Sequence, residues 1–127
     1  MRYKNNPANI RFVPSNHWKG LLGDDNGFCT FSELRYGVRA LYMLLRTYIV
    51  KYKLNDVVSI INRYAPDLEN NTLDYIRFVN EKLTYPIINE KGLSILQLMS
   101  AIMYYESNTS MSTEQIYVIL REFKIFK

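Results

Sequence analysis

The chain has 127 residues, of which 48% are hydrophobic and 14% aromatic, and its formal net charge is +4. This length suits one domain with a single hydrophobic core, and the composition excludes a disordered chain. The basic residues are scattered, which suits contact with an anionic polymer and is equally ordinary for a soluble domain. We therefore predict a single domain over residues 1–127.

The numbers of cysteines and histidines and the lengths of the apolar runs limit which metal sites, nucleophiles and membrane spans we expect. Cys29 and His17 are the only cysteine and histidine, so we predict no internal disulfide, no metal site and no cofactor. A nucleophilic Cys29–His17 pair is disfavoured, because a cysteine between phenylalanines in a strand is more often a small buried filler. No signal-peptide pattern and no run of about 18 apolar residues occurs, so we expect no membrane span and synthesis in the cytoplasm.

The first thirty residues are predicted to be irregular. The stretch "NNPANIRF" (residues 5–12) has no helical period and reads as an ordered loop that leads into an extended piece. The stretches "IRFV" and "GFCTF" carry β-favouring residues between turn signals, so we expect them to pair as a short β-hairpin. Asp24 and Asp25 fall in the turn chemistry between these stretches and are expected to be solvated.

A long amphipathic helix follows. Its apolar stripe, spaced by three and four residues, consists of Leu34, Val38, Leu41, Leu45, Tyr48 and Tyr52. Thr30 and Glu33 form a plausible capping box that would start the helix near residue 31. Gly37 inside this helix is unfavourable relative to alanine by about 1 kcal/mol, so we expect the backbone of another segment to approach it closely.

Four shorter helices complete a mainly α fold of about five helices over residues 31–127. Their predicted starts are Asn55 as a cap, Asn70 or Asn71 as a cap, Leu93, and Ser112 in a capping box with Gln115. The third helix is expected to turn an apolar face inward, formed by Leu73, Ile76, Val79 and Leu83.

Several motifs in a fixed order point to a known family. The stretches "NNPANIRF", "HWKG", "GFCTF", "YGVRAL", "RYAPDLENNT" and "DYI" cover residues 5 to about 80. This series resembles a family of small phage and prophage proteins that are described as virion structural or lytic proteins. The resemblance implies a virion-associated protein, or one that is delivered to the cell wall.

The order of elements is also similar to lytic transglycosylases of the goose-lysozyme type. A strand at "GFCTF", a long helix, a turn at "RYAPD" and a helix after "ENNT" follow the same sequence. This similarity implies a lysozyme-like fold that binds a peptidoglycan strand in a groove between the irregular segment and the helices.

Glycan cleavage requires a carboxylic acid with a raised pKa. The transglycosylase pattern places this acid before its first strand, whereas this chain has no acidic residue before Asp24. Glu69 is the catalytic candidate, because it lies in the "APDLENNT" motif at a helix start. The alternative for Glu69 is a structural carboxylate that favours the helix dipole.

The resemblance also implies ligand-binding residues, which are Asn6, Asn9, Arg11, Trp18, Arg39, Arg63 and Asn70. The asparagines and Arg11 would line the groove, and Trp18 could stack on a sugar or close the core under the loop. The guanidinium groups could bind a carboxylate of the wall, although an internal structural role is favoured for Arg39.

Three functions are open at this point. The first is binding of peptidoglycan, with cleavage of its glycan strand. The second is a non-catalytic virion structural or wall-binding protein on the same fold, which the absent upstream glutamate favours. The third is a nucleic-acid-binding helical domain, which the basic balance suggests but no helix-turn-helix signature or concentrated basic face supports.

Overall fold

The computed structural model describes residues 1–66 and 71–126. Two strands and five helices follow one another within these residues. They are β1 (Leu21–Asp25), β2 (Phe28–Phe31), α1 (Leu34–Val50), α2 (Val57–Tyr64), α3 (Thr72–Lys82), α4 (Leu93–Ser107) and α5 (Thr113–Glu122). The predicted mainly helical fold, with five helices after a segment that contains a β-hairpin, is confirmed.

The hairpin differs from the prediction in its first strand. β2 forms its hairpin with β1. The predicted pairing with "IRFV" is present only as an isolated antiparallel bridge between Arg11 and Phe28, where the Cys29 N–H donates to the Ile10 carbonyl and the Phe12 N–H donates to the Gly27 carbonyl. Asn26 and Gly27 both have positive φ, at 52° and 88°, as a tight hairpin turn requires. Asp24 and Asp25 are exposed, as predicted, but they lie at the end of β1 and not in a turn. The Asp24 side chain accepts a hydrogen bond from the Gly27 backbone N–H at 2.7 Å.

The start of α1 is also corrected. Thr30 and Phe31 lie in β2, and the Thr30 hydroxyl donates to the Gly23 carbonyl at 3.3 Å. Glu33 is the N-cap residue of α1 and its side chain makes no capping hydrogen bond. The predicted Thr30–Glu33 capping box is therefore wrong, because the strand pairing takes Thr30 out of reach of the helix.

Short polar side chains cap α2, α3 and α5, whereas the N-cap of α4 is Gly92. Asp56 caps α2 in place of the predicted Asn55, and Asn71 caps α3 as one of the two predicted alternatives. The capping box of Ser112 and Gln115 at the start of α5 is confirmed. Leu73, expected to face inward, is 57% exposed.

The hydrophobic core is centred on α4. This helix is apolar on almost every side, which is the pattern of a helix buried inside a domain. α1, α3 and α5 pack against it, and their buried side chains include Tyr42, Leu45, Tyr75, Val79, Ile116 and Leu120. No helix in the described part of the chain is long and apolar enough to span a membrane.

The N-terminal loop is tied to this core by its polar side chains. The Asn6 side chain is fully buried, donates to the carbonyls of Ile10 and Cys29, and accepts from the Ile10 N–H. The Asn5 side chain donates to the Phe31 carbonyl at 3.0 Å. The prediction that asparagine side chains order this loop is confirmed.

Gly37 is the point at which the loop touches α1. A Cβ atom at Gly37 would lie 2.0 Å from the backbone oxygen of Asn5 and 3.1 Å from the Pro7 ring. The close approach of another backbone segment that the sequence predicts is therefore confirmed, and it allows the loop to lie flat against the helix.

We predict that Gly37→Ala destabilises the protein by about 1–3 kcal/mol, because the loop must move away from the helix and the loss outweighs the gain in helix propensity. Urea unfolding followed by circular dichroism measures this change. Gly23→Ala is the matched control, since a Cβ atom at Gly23 would meet nothing within 4 Å. Equal stability of the two variants would contradict the prediction.

Candidate functional site

A cleft of about 470 Å³ lies between the N-terminal loop and the ends of three helices. The loop supplies one wall, α1 supplies Leu44 and Tyr48, the end of α2 supplies Arg63 and Tyr64, and the end of α4 supplies Glu106. The other lining residues are Arg2, Tyr3, Asn9, Ile10, Arg11, Val13, Asn16, Trp18, Phe28 and Pro66.

Hydrogen bonds fix the loop wall against the helix ends. The Tyr64 hydroxyl donates to the Ala8 carbonyl at 2.5 Å, and the Ser107 hydroxyl donates to the Pro7 carbonyl at 2.7 Å. Asn9 has a positive φ of 52°, a left-handed conformation that asparagine tolerates better than most residues. This conformation belongs to the turn that presents the Asn9 side chain to α4.

Glu106 is the carboxylate among the described residues of the cleft lining. It lies in the last turn of α4 and is partly buried. The Asn9 amide donates to Oε1 of Glu106 and to its backbone carbonyl, each at 3.0 Å. The carboxyl group is therefore held in one orientation by the loop.

Burial raises the pKa of Glu106 above that of an ordinary glutamate. The Asn9 amide, the Tyr75 hydroxyl and the charge of Arg11 all favour the ionised form, but they offset this effect of burial only in part. The Tyr75 hydroxyl is itself buried, and its geometry toward Glu106 falls short of a full hydrogen bond. A carboxyl group of this kind can hold a proton at a higher pH than usual, as a general acid must.

Guanidinium groups and aromatic rings surround this acid. Arg11 lies over the Phe28 ring, 4.9 Å from its centroid, and Arg63 lies over the Tyr52 ring at 4.0 Å. Stacking on a ring holds a guanidinium plane in place while its N–H edges point away from the ring. The cleft therefore contains arginine side chains that are held in place against aromatic rings.

Two polar atoms of the cleft residues are buried without a hydrogen-bond partner in the described structure. They are the indole nitrogen of Trp18 and the side-chain oxygen of Asn9. Buried polar atoms are satisfied in most native structures, and exceptions often mark functional sites.

The structure brings together four of the predicted ligand-binding residues, which are Asn9, Arg11, Trp18 and Arg63. Asn6 lies under the loop with its side chain engaged by the backbone, and it is outside the cleft lining. Arg39 lies over the Phe123 ring at 5.6 Å, also away from the cleft. Glu69 and Asn70 lie outside the described residues.

Sequence reasoning missed Glu106, which it treated only as the end of the fourth helix. One feature of the sequence does indicate Glu106. Glu106 is the only charged residue in the 15 residues of α4, and a carboxylate in the last turn of a helix is opposed by the helix dipole. A single carboxylate in an otherwise apolar helix, at the C-terminal end where the helix dipole opposes it, indicates a role other than solubility.

Other chemistry is less well supported by the structure. Cys29 is fully buried, and its pKa is raised to about 11 by burial and by the charge of Asp24, so its thiolate is strongly disfavoured. Among the described residues, histidine, cysteine and acidic side chains form no group of three or more that could hold a metal ion.

Comparison with known proteins gives one informative similarity. No protein-family model matches the chain. The chain is 42% identical over 86 residues to Protein P5 of Pseudoalteromonas phage PM2, a match that covers 65% of this chain and 54% of that protein. The chain thus spans about half the length of this curated relative. Similarity to a phage protein agrees with the relation to phage proteins that the motifs predict.

We predict that Glu106→Gln raises the melting temperature by a few degrees at neutral and alkaline pH, but not at acidic pH. A raised pKa means that the folded protein binds the Glu106 proton more tightly than the unfolded chain does. The native protein therefore loses stability as pH rises from the usual glutamate range through the raised pKa, whereas glutamine does not titrate.

Thermal unfolding of the two proteins between pH 4 and pH 8 tests this prediction. Glu81→Gln, at an exposed position of α3, controls for the loss of one carboxylate. A difference in melting temperature between Glu106→Gln and the native protein that stays constant over this range would be evidence against the raised pKa.

Proposed function

We propose that this protein binds peptidoglycan and cleaves its glycan strand, as a phage-type, lysozyme-like wall-active protein. The observation that carries the proposal is Glu106, a partly buried carboxyl group of raised pKa that the loop holds in a cleft lined by arginines and aromatic rings. Such a carboxyl group is the central requirement for cleavage of a glycosidic bond.

In the proposed reaction, Glu106 donates its proton to the glycosidic oxygen as the bond from the anomeric carbon to that oxygen breaks. The leaving sugar departs as an alcohol and Glu106 is left ionised. The anomeric carbon then forms a bond to the oxygen of a water molecule, whose proton returns to Glu106, so the overall reaction is hydrolysis. The Asn9 amide and the Tyr75 hydroxyl favour that ionised form, so they stabilise the charge that develops during the step. Asn9 also orients the carboxyl group before the reaction.

The rest of the cleft suits an anionic polymer of sugars. Peptidoglycan carries carboxylates on its stem peptides, and guanidinium groups bind carboxylates through paired hydrogen bonds. Arg2, Arg11 and Arg63 line the same cleft. The partly exposed Trp18 ring offers an apolar face for a sugar ring.

The similarity to a phage protein supports a place for this protein in a virion or at the cell wall during infection. A non-catalytic virion or wall-binding protein would use the same cleft without the proton transfer. Retention on sacculi without clearing would identify that alternative, and a salt-sensitive shift of duplex DNA would identify a nucleic-acid-binding domain.

We predict that Glu106→Gln lowers the rate at which purified sacculi lose turbidity by at least about 100-fold, because general acid catalysis typically contributes that much. Binding of sacculi should persist. In the native protein, the rate should fall as pH rises through the raised pKa of Glu106, because only the protonated acid can donate.

The exposed Glu81→Gln variant controls for the loss of a carboxylate. Glu69→Gln tests the candidate that sequence motifs favour. If Glu69→Gln abolished clearing while Glu106→Gln retained it, the acid would be Glu69 and the assignment of Glu106 would be wrong.

We also predict that Arg63→Gln weakens binding to sacculi by about threefold at low salt, which is the contribution of one exposed ion pair. The difference should shrink as salt is added, because exposed charges are screened. A pull-down assay with increasing protein concentration measures the affinity. Arg46→Gln is the matched control, since Arg46 is an exposed arginine on α1 that pairs with Glu90 at 3.3 Å outside the cleft. Equal losses for the two variants would remove Arg63 from the binding site.

A further inference from the structure

A second group of basic side chains lies around Phe123, outside the residues that line the cleft. The side-chain nitrogen of Lys19 lies 5.7 Å from the centroid of the Phe123 ring, and the guanidinium carbons of Arg35 and Arg39 lie 5.5 Å and 5.6 Å from it. Lys19 precedes β1, both arginines belong to α1, and Phe123 is the C-cap residue of α5. We call these four residues the Phe123 patch.

A glycine fixes the position of Lys19 in this patch. Gly20 has a φ of 77°, and a Cβ atom there would lie 2.2 Å from the Tyr36 ring, so only glycine lets this turn rest directly on α1. The Gly20 carbonyl accepts a hydrogen bond from the Ser32 N–H at 2.9 Å. The Tyr36 ring lies against the Phe123 ring, with centroids 5.7 Å apart. The backbone that carries Lys19 is therefore held beside Phe123.

The positive charge of the patch is neutralised only in part. Arg35 pairs with Glu33 at 3.3 Å and lies 4.0 Å from Glu122. Lys19 and Arg39 form no ion pair within the part of the chain that the structure describes. Since both lie within 5.7 Å of one ring centroid, their charges are at most about 11 Å apart, close to the screening length at physiological salt, and repel each other. An anion bound between them would relieve this repulsion.

The residues beside Phe123 add to the charge. Arg121 and Lys124 are exposed, so five basic side chains and two carboxylates occupy the patch and the positions next to it. Their net charge of +3 is most of the formal net charge of +4 that the whole chain carries. No single stretch of sequence shows this concentration, because the contributing residues lie at positions 19, 35, 39 and 121–124.

We infer that the Phe123 patch binds the phosphate backbone of a nucleic acid. A strand in a duplex carries one phosphate for about every 3.4 Å of helix axis, so it presents several charges over the span of the patch. Arginine pairs with phosphate through two parallel hydrogen bonds. The cations already lie over the Phe123 ring, so the contact is made to phosphates and not by stacking of bases, and it is independent of base sequence.

This inference goes beyond the proposed function and does not depend on it, because the patch and the cleft share no residue. An anionic membrane surface fits the patch less well. Proteins that bind a lipid interface insert exposed apolar side chains into it, whereas Phe123 and Tyr36 are partly buried beneath the cations.

Fluorescence anisotropy with a labelled DNA duplex tests the inference. The affinity of the native protein should fall by at least about tenfold between about 50 mM and about 200 mM salt, as two or three phosphate contacts require. Lys19→Gln and Arg39→Gln should each weaken binding by about threefold or more at the lower salt concentration and reduce the slope of log K against log salt by about one. Arg39→Lys keeps the charge and should keep the slope.

Two arginines outside the patch are matched controls. Arg46 is exposed on α1 and pairs with Glu90, and Arg63 lines the cleft. Arg46→Gln and Arg63→Gln remove the same charge as Arg39→Gln and should leave the affinity for the duplex within about twofold. Circular dichroism of each variant checks its fold, and the exposed side chain of Lys19 makes Lys19→Gln the variant least able to disturb it.

No salt-sensitive binding of the duplex by the native protein would overturn the inference. Equal losses for Arg63→Gln and Arg39→Gln would also overturn it, because binding would then depend on the cleft or on net charge. Tighter binding to phosphatidylglycerol vesicles or to polyglutamate than to the duplex would identify a membrane or an acidic protein as the partner and would overturn it as well. Retention on sacculi enters none of these measurements, so their failure leaves the proposed function in place.

Discussion

Hydrogen bonds from the side chains of the N-terminal loop and the helix ends hold the cleft together. The first ten residues form no helix or strand, although Tyr3, Ala8 and Ile10 are buried. The Asn6 side chain bonds the backbone of Ile10 and of Cys29 in β2, while Tyr64 and Ser107 bond the loop carbonyls from α2 and α4. Gly37 allows the contact by leaving room for the Asn5 carbonyl. Without these bonds the helices would still pack, but one wall of the cleft would be lost.

Glu106 lowers the stability of the fold, and the same property of this carboxyl group supports the proposed function. A carboxyl group that burial desolvates is less stable when ionised, and a position at the end of α4 adds the unfavourable end of the helix dipole. Glutamine would fit the same hydrogen bonds without that penalty. The Asn9 amide and the Tyr75 hydroxyl moderate the penalty without abolishing it, which leaves a group that holds a proton and can still release it.

Sequence reasoning predicted the helices well because their apolar spacing is a local signal, and it placed the caps Asn71 and Ser112 because short polar side chains bond the nearest backbone N–H groups. It failed where partners are distant in sequence. The "NG" turn at residues 26–27 makes β1 the hairpin partner of β2, so the predicted pairing with "IRFV" is confirmed only as an isolated bridge. Asn9 and Trp18 were recognised as candidates from motifs, whereas Glu106 was missed because it meets Asn9 across 97 positions of the chain.

Two kinds of energetically unfavourable group meet in the cleft. Glu106 is an acid of raised pKa, and the side-chain oxygen of Asn9 and the indole nitrogen of Trp18 are two of the three buried side-chain atoms without a hydrogen-bond partner among the described residues. The opposite side of the fold, where α4 meets α5, follows the rules of capping and apolar burial. A chain that is locally consistent elsewhere tolerates such unfavourable features where they serve a purpose. Because a desolvated carboxyl group and unpaired buried polar atoms are features that occur at functional sites more often than elsewhere, their coincidence in one cleft makes this cleft the candidate functional site.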